Sequence, residues 1–150
     1  ALIPHVLMMI LTVIWSMATI IFALANIPSY KKHIGITIIF LLIGGFILGP
    51  VVQKYSFGQF WTGWPLGDDL TDNKTLFALV AFLVAWFLRK KSYARWLAIL
   101  AAIVMLAVYL IPHSMGGSEL DRETGEVVTG SILLLTGMLG IKRIQFNCKR

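Results

Sequence analysis

The stretch that decides the fold class runs from Val104 to Thr129 and reads VMLAVYLIPHSMGGSELDRETGEVVT. An uninterrupted apolar segment ends there at Pro112-His113, and the loop that follows carries four acidic side chains. Such a change is typical of a helix that leaves hydrocarbon and enters water. Similar junctions occur at Pro4-His5 and from Trp64 to Asp69. The sequence therefore predicts several membrane crossings.

The composition agrees with a lipid environment. Hydrophobic residues make up 58% of the 150 residues and charged residues 13%, against roughly 45–50% and 25% in ordinary globular chains. A soluble chain of this length has too little polar surface to cover so many apolar side chains. We therefore predict an all-α fold, a polytopic integral membrane helical bundle that forms a single transmembrane domain over residues 1–150.

Apolar runs predict about five transmembrane helices, of which the C-terminal one is the weakest. They cover residues 4–25, 34–52, 75–88, 94–112 and 127–144. A GxxxG spacing at Gly45 and Gly49 predicts that another helix approaches the second span closely. Asp72 or Asn73 is the predicted N-cap of the third.

The loop of residues 53–74 is the longest between predicted spans. It holds five aromatic side chains within ten positions, a composition that suits the headgroup zone of a bilayer. We predict an interfacial segment there, which lies along the membrane surface. The five residues are Tyr55, Phe57, Phe60, Trp61 and Trp64.

The distribution of charge predicts the orientation. With five crossings, ten of the thirteen basic residues fall on one side, and short loops rich in Lys and Arg face the cytoplasm. The opposite side carries Lys54, Lys74 and Arg122 together with all seven acidic residues. We therefore predict a multi-pass protein of the cell inner membrane, with its N-terminus outside and its C-terminus cytoplasmic. The ten basic residues are Lys31, Lys32, Arg89, Lys90, Lys91, Arg95, Lys142, Arg143, Lys149 and Arg150.

Two histidines fall at the predicted outer boundary. His5 shares a helix face with a stripe of small and polar residues, which predicts that this face packs against other helices. His113 follows a face of the fourth span that also permits close packing. Two inward-facing imidazoles at one depth could ligate a b-type haem, so His5 and His113 are the predicted cofactor ligands. The alternatives are a pair of ordinary interfacial histidines and a proton relay. The stripe on the first span consists of Thr12, Ser16, Thr19 and Ala23.

A divalent-metal site is a further hypothesis. Asp68, Asp69 and Asp72 form a DDxxD pattern, and Glu119 begins a second acidic group. Carboxylates combined with imidazole suit zinc, copper or iron, so Asp68, Asp69 and Glu119 are the predicted metal ligands. The alternative is a solvated loop in which Asp72 caps the next helix.

Several function classes find no support in the sequence. The basic residues form no single face for nucleic acid, and the single cysteine, Cys148, excludes an intramolecular disulfide. No Walker A, GxGxxG or GxSxG motif is present. The span interiors carry no charged side chain for transport. We therefore expect no stand-alone enzyme, but at most an electron-transfer subunit.

The leading functional hypothesis is a membrane subunit of a bacterial respiratory or redox complex, with a haem near the outer face. The outer aromatic residues would then border a quinone or a partner subunit, and Trp61, Trp64 and Tyr109 are the predicted interface residues. The alternatives are a cofactor-free structural or assembly protein that docks a partner through its outer loops, and an outward-facing metal-binding protein.

Overall fold

The computed structural model describes residues 2–58, 60–67, 69–110, 118–120 and 127–129. In this part of the chain the fold is helical apart from one short hairpin. The helices are α1 (Leu2–Leu24), α2 (Tyr30–Leu41), α3 (Gly49–Phe57), α4 (Leu70–Phe87) and α5 (Ala94–Leu110), and a π-helical segment, Leu42–Leu48, joins α2 to α3. The hairpin pairs β1 (Ser118–Leu120) with β2 (Val127–Thr129).

Three helical stretches in the described part are long and apolar enough to cross a membrane. They are Leu2–Leu24, the continuous helix Tyr30–Ser56 and Leu70–Phe87. The fourth apolar helix, Ala94–Leu110, is shorter, at 17 residues. This is consistent with a membrane protein, and the number of such helices is smaller than the five spans predicted from the sequence.

The predicted start of the last span is wrong. Val127–Thr129 form a strand whose residues pair antiparallel with Ser118–Leu120, so that Val128 lies opposite Glu119. The β-branched run Val127-Val128-Thr129 suits a strand better than the first turn of a helix. The rest of the predicted span, residues 130–144, lies outside the described residues.

The four long helices pack in a closed ring. The helix α1 packs mainly against α2 and α5, and α4 packs against the same two helices from the other side. The largest fully buried apolar side chains are Phe82, Ile34, Leu41 and Met105. Alanines fill much of the remaining interior, which lets the helix backbones approach closely; they are Ala23, Ala78, Ala85, Ala94, Ala98, Ala101 and Ala102.

The predicted stripe on α1 is confirmed. The buried residues of this helix are Thr12, Ser16, Thr19 and Ala23. The two threonine hydroxyls donate to the carbonyl oxygens of Met8 (2.8 Å) and Trp15 (2.9 Å), one turn earlier. These bonds satisfy polar groups that face an apolar interior, where an unpaired hydroxyl would destabilise the packing.

Asn26 ends α1 and redirects the chain into α2. It has a φ of 57°, a left-handed conformation that asparagine tolerates better than most residues. The amide of Ile27 donates to the carbonyl of Phe22 at 2.9 Å, and that of Asn26 donates to Ala23 at 3.1 Å. This is a Schellman cap. It allows the sharp reversal that lays α2 against α1.

The second apolar helix extends further than predicted. Rather than ending near residue 52, it continues through α3 to Phe57. Pro50 stands in the first turn of α3, where its missing N–H is not needed, so it does not end the helix. Gly58, with a φ of 80°, closes α3. The connecting loop therefore covers residues 58–69, and the interfacial segment predicted over 53–74 is partly helical.

Candidate functional site at the loop end of the bundle

Several elements meet at the end of the bundle that carries the 58–69 loop, called here the loop end. The imidazole of His5 contacts the π-helical segment, and Phe46 stacks on Trp61 with ring centroids 5.4 Å apart. The hydroxyl of Tyr109 donates to the carbonyl oxygen of Met9 at 2.9 Å, so the C-terminal end of α5 also lies at the loop end. The junction at Pro4-His5 and the one that begins at Trp64 thus lie at the same end, as predicted.

His5 is fixed by a bond to another helix. Its Nδ1 lies 2.9 Å from the carbonyl oxygen of Gly44. A carbonyl only accepts, so Nδ1 carries the proton and donates, and the lone pair of the neutral ring is on Nε2. The N–H of Gly49 donates to the same carbonyl. The carbonyl oxygen of Gly44 therefore accepts hydrogen bonds from its own helix and from α1. π-helical turns of this kind are often found at functional sites.

The loop is fastened to α4 around a single residue, Thr62. Its amide donates to Asp72 Oδ2 at 2.8 Å, and its carbonyl accepts from the amide of Asp69 at 2.9 Å. Its hydroxyl lies 3.0 Å from Asp69 Oδ2 and 3.2 Å from Asp72 Oδ2, and the amide group of Gln53 hydrogen-bonds to that hydroxyl at 2.6 Å. We call Gln53, Thr62, Asp69, Asp72 and Asn73 the anchor network.

Asp69 is the N-cap of α4, so the prediction of Asp72 or Asn73 is wrong. Its Oδ1 accepts from the amide of Thr71 at 2.7 Å. Asn73 instead turns back to the loop, and its Oδ1 accepts from the amide of Trp64 at 2.6 Å. Three side chains from the first turn of α4 and the residue before it therefore hold the loop in place.

Two glycines make this fit possible. A Cβ on Gly63 would lie 2.6 Å from the Cβ of Asp72, and a Cβ on Gly67 would overlap the carbonyl oxygen of Thr62. A larger residue at either position would therefore push the loop away from the anchor network.

The outer surface of the anchored loop is apolar. Trp64 is 68% exposed and Leu66 is 79% exposed, while Phe60 and Tyr55 are also largely uncovered. Trp61 is half-buried and donates its Nε1 hydrogen to the carbonyl of Trp64 at 3.2 Å. The predicted interface residues Trp61 and Trp64 thus lie side by side, with Trp64 pointing outward.

Asp69 is placed differently from the solvated loop that is the alternative to a metal site. Asp69 is only 2% exposed, and both its oxygens accept hydrogen bonds. The buried Lys74 has a favourable electrostatic interaction with it. Asp68 lies outside the described residues, and Glu119 is in β1, whose side chains are not described. Within the described residues, no group of three or more potential metal ligands comes together.

Two of the predicted site residues remain, His113 and Tyr109. His113 lies outside the described residues, so its predicted pairing with His5 stays a prediction. Tyr109 is half-buried, and its hydroxyl bonds within the bundle, where it ties α5 to α1.

The roles of Thr62 and Gln53 were not predicted from the sequence. One local signal was present, because Asp69 and Asp72 stand three residues apart before an apolar run, a spacing similar to a capping box. That signal identifies Asp69 as the cap. It cannot identify Thr62, since the contact between Thr62 and Asp72 depends on how the loop folds back.

Comparison of the chain with protein-family models, with curated proteins and with solved structures gave no match.

Proposed function

We propose that this chain is a membrane subunit of a larger complex, and that it docks a partner subunit through the exposed apolar side chains of the 58–69 loop. The observation that carries the proposal is the combination of a fixed loop with an apolar outer surface. Trp64 and Leu66 project from a segment that the anchor network holds in one conformation.

Because the loop is already ordered, this surface can bind a partner with little loss of conformational entropy. A mobile loop loses conformational entropy when it docks, whereas a loop that is already fixed loses little. Tryptophan and tyrosine are also enriched among the residues that dominate interface energies. Burial of one such apolar side chain contributes roughly 1.5–3 kcal/mol, so a few of them suffice for a stable contact.

Photocrosslinking in native membranes tests the proposal. A benzophenone amino acid at position 64 should give a discrete protein adduct. The same group at position 77 is the matched control, because Phe77 and Trp64 are both 68% exposed and Phe77 lies within an apolar helix. In a mild-detergent extract, Trp64→Ala should lower the mass of the native assembly and Phe77→Ala should not. Lipid adducts alone at position 64, with an unchanged assembly mass, would contradict docking and favour an aromatic belt.

A redox role is the second candidate, and the bond from His5 to Gly44 favours it. Histidines that bind metals usually donate the other ring nitrogen to a carbonyl or carboxylate, which fixes the tautomer and the ring. His5 has this arrangement, with Nε2 as the ring nitrogen able to ligate. His113, which lies outside the described residues, is the second proposed ligand. A b-type haem held by these two histidines would supply one-electron transfer.

A further inference from the structure

The end of the bundle opposite the 58–69 loop is called here the basic end. It contains the connection between α1 and α2 and the connection between α4 and α5. No acidic residue precedes position 68 in the sequence, and none lies between positions 72 and 119. The positive charges of these connections and of the adjoining helix turns therefore have no carboxylate beside them in sequence. They are Lys31, Lys32, Arg89, Lys90, Lys91 and Arg95.

A direct helix contact brings the two connections together. A Cβ on Gly35 would lie 2.8 Å from Cζ3 of Trp86, so the indole of α4 packs against the backbone of α2. Arg89 follows Trp86 by three residues, its guanidinium lies 3.9 Å from that ring's centroid, and its Nη1 donates to the Trp86 carbonyl at 2.8 Å. Lys31 is one helical turn before Gly35 and hence on the same face of α2. Lys31 and Arg89 therefore flank one contact.

Aromatic rings lie beside two of these basic side chains. The ammonium of Lys31 lies 5.9 Å from the ring of Tyr30, and the guanidinium of Arg95 lies 4.9 Å from that of Trp96. Trp96 is 62% exposed and Tyr93 is 48% exposed. Aromatic rings of this kind at the end of an apolar helix settle at the level of lipid headgroups.

We propose that the basic end binds an anionic phospholipid, whose headgroup phosphate lies between the first turn of α2 and the connection from α4 to α5. The charge complementarity is direct, because lysines and arginines with no carboxylate beside them in sequence repel one another until an anion joins them. A lipid fits better than a soluble anion, since the exposed Trp96 and Phe87 offer apolar surface beside the charges. This site is independent of the partner surface at the loop end.

The test uses the purified protein in a mild detergent. Added phosphatidylglycerol should raise the melting temperature more than phosphatidylcholine does, and native mass spectrometry should show that it is retained. Each basic residue near an anionic surface adds to the attraction. The variant Lys31→Gln/Arg89→Gln should therefore weaken phosphatidylglycerol binding by roughly tenfold or more.

Two further variants keep the test decisive. The first variant, Lys90→Gln/Lys91→Gln, changes only exposed side chains. It should also bind phosphatidylglycerol more weakly, and the loss of the bond between Arg89 and Trp86 cannot be the cause. Lys54→Gln removes a positive charge at the loop end and should leave binding unchanged. Equal stabilisation by the two lipids, an equal shift with inorganic phosphate alone, or an equal loss in Lys54→Gln would each overturn the proposal.

Discussion

His5 and Gly44 are hydrogen-bonded at 2.9 Å although 39 residues separate them. The bond joins the first turns of α1 to the π-helical segment that follows α2. It also fixes which nitrogen of the imidazole is available for other interactions. Whether that nitrogen ligates an iron can be tested directly.

A difference spectrum tests the redox hypothesis. Dithionite-reduced minus oxidised protein, purified in mild detergent, should show a Soret shift with sharp α and β bands. His5→Ala should abolish these bands. His33→Ala is the matched control, because its Nδ1 also donates to a backbone carbonyl (Ser29, 2.8 Å) while its ring stacks on Phe22. A flat spectrum from folded wild-type protein would rule out a bound haem.

Thr62→Val should release the loop. The substitution keeps the shape of the side chain but removes the hydroxyl that lies between the carboxylates of Asp69 and Asp72. Loss of such a buried partner costs about 1–3 kcal/mol. We expect faster hydrogen exchange over residues 58–69 and faster proteolysis there. Ser56→Ala, an exposed change at the end of α3, should leave both rates unchanged; equal rates in Thr62→Val would show that Thr62 does not anchor the loop.

Gly45 and Gly49 of the GxxxG pattern should respond differently to substitution. A Cβ at Gly45 would lie 2.7 Å from Cγ2 of Thr75, whereas a Cβ at Gly49 would meet its nearest neighbour at 3.5 Å, an ordinary contact. Gly45→Ala should therefore lower the free energy of unfolding by about 1–3 kcal/mol. Gly49→Ala should change it much less. Unfolding in a denaturing detergent measures both, and equal effects would contradict the close approach of α4 to Gly45.

Tyr109→Phe should weaken the contact between α5 and α1. The change removes only the hydroxyl that donates to Met9, and a single hydrogen bond between membrane helices contributes about 0.6 kcal/mol. The melting temperature should fall slightly. Tyr93→Phe, at an exposed position, serves as the control. A loss of partner binding in Tyr109→Phe without a change in melting temperature would instead support the predicted interface role of Tyr109.

The sequence alone determined the helical class and the buried face of α1. Spacing identifies that face, because residues three and four apart on a helix share one side, and the side with Thr12, Ser16 and Thr19 is the side that is buried. Hydropathy located the apolar helices. It could not give their ends, since α3 closes at Gly58 and α4 begins after its cap Asp69 through local bonds that hydropathy does not report.

Only the tertiary structure decided how the loop end is built. The bond from His5 to Gly44 requires a π-helical turn that hydropathy does not report, and the anchoring of Thr62 requires the loop to fold back on α4. Nothing in the local sequence distinguishes a buried Asp69 from a solvated one. The physical reason is that a carboxylate is buried only where enough donors converge on it. Thr71 and Lys74 are close to Asp69 in sequence, but the hydroxyl of Thr62 reaches it only after the loop has folded back on α4.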